Sequence, residues 1–166
     1  MKERYCVTVR NKRLQYDFEI TGKITVVRGD SATGKTTLVE MIRLFERHGA
    51  DSGVEVIADV PCRVLDNDAA WAQQLSWIRG SLVFVDENHE FTSSPAFARA
   101  ILESDNDYVL MTRANLPCIP KNAQAIFGIR FAGQKDGNRR VHHEFFHLGE
   151  CGGGEGPERG EMPKRK

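Results

Sequence analysis

Gly29-Asp30-Ser31-Ala32-Thr33-Gly34-Lys35-Thr36 is an uninterrupted G-x-x-x-x-G-K-[ST] run. It lies between an apolar β-like stretch, Ile24-Thr25-Val26-Val27, and residues of helical periodicity from Thr37 to Arg47. Strand, glycine-bounded loop and helix in that order make a phosphate-binding loop. Backbone N–H groups can ring a triphosphate only where the chain bends without Cβ clashes, which Gly29 and Gly34 permit. The helix that follows aims its positive N-terminal end at the same place. Asp30, Ser31, Ala32 and Thr33 supply the loop backbone, and Lys35 reaches the β and γ oxygens as a point charge. The Thr36 hydroxyl joins the shell of a Mg²⁺ ion, with Thr37 a spare hydroxyl beside it.

A second signal is Leu82-Val83-Phe84-Val85-Asp86-Glu87, four apolar residues closed by two acids. A short continuous apolar run reads as a strand buried on both faces. Asp86 at its carboxyl end is a metal carboxylate acting through water, and Glu87 a base or orienter for water attacking the γ-phosphate. A third apolar strand, Tyr108 to Thr112, runs into Thr112-Arg113-Ala114-Asn115.

Through Gly29 to Thr36, Leu82 to Glu87 and Tyr108 to Asn115, the chain resembles the additional-strand, catalytic-glutamate branch of P-loop NTPases, which includes the ABC, AAA and STAND ATPases. The resemblance spans about residues 1–132 and is carried by the two nucleotide motifs. It implies ATP and Mg²⁺ as ligands, Lys35 and Glu87 as catalytic residues, and a γ-phosphate sensor among Thr112, Arg113 and Asn115. His89, just after Glu87, is a further sensor candidate or a turn cap. No L-S-G-G-Q signature is present, and no helical lid domain follows Asn115. The expected fold class is therefore α/β: a minimal three-layer P-loop NTPase fold with a mostly parallel central sheet, an N-terminal hairpin and a C-terminal β-hairpin.

The pattern along the chain fills in that expectation. Tyr5 to Arg10 and Leu14 to Ile20 alternate as strands around the turn at Asn11-Lys12-Arg13. Val54 to Val60 and Arg63 to Leu65 read as short strands, Ala69 to Ile78 as a helix capped by Asp68, and Pro95 to Glu103 as a helix opened by Ser93-Ser94. Ala125 to Phe131 and Arg139 to Leu148 form the terminal hairpin. One domain over residues 1–148 is expected, followed by a Gly-, Glu- and Lys-rich disordered tail over 149–166.

No window approaches the ~20 apolar residues of a membrane span and the N-terminus carries no apolar signal region, so a cytoplasmic protein without membrane contact is expected. Cys6, Cys62, Cys118 and Cys151 are scattered singly, without C-x-x-C spacing. Net charge is zero but uneven, acidic over residues 51–107 and basic on either side. Such asymmetry fits a partner surface or scattered solvated side chains, and a protein partner or a second copy of the chain is expected.

Two constellations compete for attention. His143-Glu144-Phe145-Phe146-His147 matches H-E-x-x-H, which binds zinc only on a helix; on a strand the two histidines stand roughly 13 Å apart. Arg130, Lys135, Arg139 and Arg140, interleaved with phenylalanines, make the terminal hairpin a candidate nucleic-acid contact or a solvated face. The reading as a whole is an ATPase coupled to a partner protein or nucleic acid. Its alternatives are a nucleotide-dependent switch without appreciable turnover and a small-molecule kinase. A kinase needs paired lid arginines, and residues 51–107 hold only Arg63, Arg79 and Arg99, singly. A guanine-reading N-K-x-D is missing, which favours ATP.

Overall fold

Alternating and continuous apolar runs become two kinds of strand in the computed structural model, which describes residues 4–29, 34–87, 89–113, 116–133 and 140–150. The strands are β1 (Tyr5–Arg10), β2 (Leu14–Ile20), β3 (Ile24–Arg28), β4 (Glu55–Ile57), β5 (Cys62–Val64), β6 (Leu82–Val85), β7 (Asp107–Thr112), β8 (Gln124–Gly133) and β9 (Val141–Glu150). Among the described residues three α-helices join them: α1 (Lys35–His48), α2 (Trp71–Ser76) and α3 (Pro95–Glu103). All nine strands belong to one sheet, ordered β4-β1-β2-β9-β8-β3-β7-β6-β5.

The expected three-layer P-loop NTPase fold is corrected by this arrangement. The sheet is mixed: β1–β2, β1–β4 and β8–β9 pair antiparallel, whereas β2–β9 and the run β8–β3–β7–β6–β5 pair parallel. The two hairpins are not appendages to a parallel core. β2 pairs with β9 from Leu14↔Val141 to Asp17↔Glu144 and joins both into the same sheet. That sheet curls until the strands at its two ends, β4 and β5, both pack against α1, so the whole is barrel-like and nearly closed. Strands outweigh helices, and α2 and α3, of 6 and 9 residues, are too short to form a helical layer.

Burial follows the pleat. In β6, Leu82 and Phe84 face the cluster that holds Leu38 and Ile42 of α1, while Val83 and Val85 face the cluster that holds Leu75 of α2 and Phe97 and Ile101 of α3. β7 divides the same way, with Val109 and Met111 on one side and Tyr108 and Leu110 on the other. Apolar residues on both faces are what made these runs continuous rather than alternating.

Local signals place the helices. Ser94 caps α3 by accepting from the Phe97 N–H, with Pro95 in the first turn. Asp68 does not cap α2: the position before the helix is Ala70, and Asp68 turns instead to His89. The terminal strand β9 runs through Gly149 and Glu150, and residues 151–166 lie outside the described residues. Among the described residues no helix is long and apolar enough to cross a membrane.

Candidate functional site

The carboxyl ends of three neighbouring parallel strands meet at one place, because β7 pairs with β3 on one side and with β6 on the other. β3 delivers Gly29, at φ 146°, and the chain returns at Gly34, at φ 96°, to open α1 with Lys35. β6 delivers Asp86 and Glu87, and β7 delivers Thr112 and Arg113. Asp30, Ser31, Ala32 and Thr33 of the loop lie outside the described residues.

Lys35 is the most constrained of these groups. Its side chain is 1% exposed, its ammonium donates to the Gly29 carbonyl at 2.5 Å, and it stands 3.4 Å from Glu87 Oε1. A buried cation is tolerable only with such partners. Glu87 is shared: its Oε2 lies 3.2 Å from Arg113 Nε, while its buried Oε1 makes no hydrogen bond among the described residues. Asp86, 7% exposed, accepts from the Glu87 backbone N–H through Oδ1 at 2.8 Å. Thr36 and Thr37 are exposed on the first turn of α1.

Thr112 is buried at the end of β7, in register with Arg28, and Arg113 is exposed apart from its contact with Glu87. Asn115 lies outside the described residues. His89 Nδ1 is 2.7 Å from Asp68 Oδ1 and its ring stacks on Phe91.

These groups suit a magnesium triphosphate. Lys35 and the amino end of α1 supply positive charge and N–H donors. The exposed Thr36 hydroxyl and the Asp86 carboxylate are oxygen groups of the kind that could hold Mg²⁺ alongside phosphate and water. Glu87 Oε1, which faces the Lys35 ammonium and makes no hydrogen bond among the described residues, is a carboxylate oxygen of the kind that can accept from a water at this strand end.

Sequence reasoning missed Tyr16. Its ring is 1% exposed and its hydroxyl donates to the Gly34 carbonyl at 3.1 Å. Burial pushes its phenol up to about 12, which keeps it a donor at neutral pH. Nothing in the local pattern of β2 distinguishes this residue from any other inward-facing strand aromatic.

The competing constellations take other roles. His143 and His147 sit on β9, so the helix face required by H-E-x-x-H does not form. His143 stacks on Tyr16 with centroids 5.0 Å apart, and burial lowers its pKa; His147 packs against Phe127. Arg130 pairs with Glu144 at 2.7 Å and covers the Phe146 ring, and Arg140 Nε donates to the Asn11 carbonyl at 2.7 Å. Both arginines thus have partners within the fold, while Lys135 and Arg139 lie outside the described residues. The chain matches no protein-family model and no curated protein sequence.

Proposed function

We propose that the chain binds ATP with Mg²⁺ and hydrolyses the β–γ phosphoanhydride, slowly in the absence of a partner protein or nucleic acid. The observation that carries this reading is the meeting of Lys35, at the amino end of a helix, with Glu87, from the end of a buried strand. The reading rests on motifs and on these side chains, not on the overall fold. Gly29, Gly34, Lys35 and Thr36 hold the phosphates, and Thr36 with Asp86 holds the metal. Magnesium, when bound, neutralises charge that builds on the phosphate oxygens. Glu87 orients the attacking water and takes its proton.

A nucleotide switch with little turnover is the second reading. It is favoured by one feature: both carboxylate oxygens of Glu87 face cations, Lys35 and Arg113. A carboxylate so held must be released before it can act as a base. Steady-state hydrolysis by wild type and Glu87→Gln decides between the two. The hydrolase reading expects turnover in the wild type and a loss on the order of 10²-fold in Glu87→Gln, with ATP affinity kept. Equal rates in the two proteins contradict it and leave the switch.

A further inference from the structure

A phosphate loop works only if its last residue and first helical turn are held still, and here the restraint comes from a strand remote in sequence. Gly34 is the hinge between loop and helix, with φ 96° in the left-handed region. Its carbonyl accepts twice, from the Leu38 N–H at 3.1 Å, which closes the first turn of α1, and from the Tyr16 hydroxyl at 3.1 Å. A Cβ at Gly34 would lie 3.0 Å from that hydroxyl, so the fit is close as well as polar.

Tyr16 is itself fixed from behind. It pairs in register with His143 of β9, whose ring lies over its own with an interplanar angle of 19°. His143 is in turn met edge-on by Phe131 of β8. The row Tyr16–His143–Phe131 crosses three adjacent strands and ends at the loop. The pairing of β2 with β9, which closes the N-terminal hairpin onto the C-terminal one, is what brings it there.

We propose that Tyr16 is a positioning residue for the phosphate loop: its hydroxyl fixes the Gly34 carbonyl, and thereby the direction of Lys35 and of the first N–H groups of α1. The proposal rests on the nucleotide-binding reading for its effect on affinity, but its effect on the loop exists without nucleotide. Tyr108 provides the control. It is another buried tyrosine whose hydroxyl is hydrogen-bonded, to Ser104 and Asn106, away from the loop.

The test compares wild type, Tyr16→Phe and Tyr108→Phe, all full-length, in two measurements. In nucleotide-free protein, amide hydrogen exchange over Gly34–Leu38 should accelerate severalfold in Tyr16→Phe and stay at the wild-type rate in Tyr108→Phe. In calorimetric titration with Mg·ATP, Tyr16→Phe should bind about fivefold to tenfold more weakly, the loss expected for one neutral hydrogen bond. Tyr108→Phe should bind as wild type does, although both variants lose some thermal stability. Unchanged exchange at Gly34–Leu38 in Tyr16→Phe, or equal acceleration in both variants, overturns the proposal. If wild type binds no ATP while exchange separates the two variants as expected, the positioning role stands and the nucleotide reading fails.

Discussion

Glu87 lies between two cations, 3.4 Å from the Lys35 ammonium and 3.2 Å from Arg113 Nε, one buried and the other half open to solvent. The two contacts differ in kind. Lys35 is part of the interior, whereas Arg113 is 58% exposed and its pairing is screened by water. Arg113→Ala should therefore leave the melting temperature almost unchanged. If Arg113 aims the Glu87 carboxylate, the same variant should lower kcat about tenfold while KM for ATP moves little. A lower melting temperature with unchanged kcat would make Arg113 a structural residue only.

Gly34→Ala should be among the most damaging single changes near the loop. A non-glycine residue at φ 96° is strained by about 1–3 kcal/mol, and the new methyl group meets the Tyr16 hydroxyl at 3.0 Å. Loss of Mg·ATP binding with a measurable fall in melting temperature is expected. Wild-type affinity in this variant would contradict the loop geometry.

The opening of α1 at Lys35 and the placing of Asp86 and Glu87 at a strand end were legible because their signals are local: a glycine and a lysine at a helix start, two acids after an apolar run. Most strands were legible too, since β6 and β7 are apolar on both faces and β1 and β2 alternate. The sheet they form was not. Nothing in Leu14–Asp17 or in Val141–Glu144 announces that these segments pair in parallel, and this pairing turns two separate hairpins into a single mixed sheet. Register across more than a hundred residues is decided by tertiary packing rather than by local preference. For the same reason Tyr16 carried no signal, because its partner Gly34 is supplied by the fold.

Gly128 faces Phe146 across the β8–β9 ladder, and a Cβ there would come within 2.6 Å of Phe146 Cζ. The Phe146 ring also carries the Arg130 guanidinium, 4.9 Å from its centroid. Gly128→Ala must push the ring aside, at a cost of about 1–3 kcal/mol. Because the clash is with one ring, adding Phe146→Ala should cost less than the two single changes summed, a coupling that a denaturation cycle would reveal. Additive losses would place the strain elsewhere.

Asp107 offers a pH test of the sheet interior. Burial holds its carboxyl above the usual range, opposed by the hydrogen bond that the Tyr5 hydroxyl donates at 2.8 Å and by the Lys23 charge. The folded protein thus binds this proton more readily than the unfolded chain does. Its contribution to stability is present below the ordinary carboxylate pKa and is lost as pH rises through the raised value. Asn at this position cannot ionise, and its side-chain oxygen can still accept from Tyr5. Asp107→Asn should match wild type near pH 3.5 and gain on it progressively toward pH 7, as followed by thermal melts across the range about 3.5–7. A variant that loses ground as pH rises would reverse the sign and refute the assignment.

Calorimetric titration of Mg·ATP into wild type and Lys35→Ala tests the central claim most directly. Wild type should bind with a stoichiometry near one per chain. Lys35→Ala, verified as folded by its melting transition, should bind at least tenfold more weakly, since a charge-assisted contact of about 1.5–3 kcal/mol is removed. No heat of binding in the wild type, or equal affinity in the two proteins, would contradict the assignment of this loop to a triphosphate.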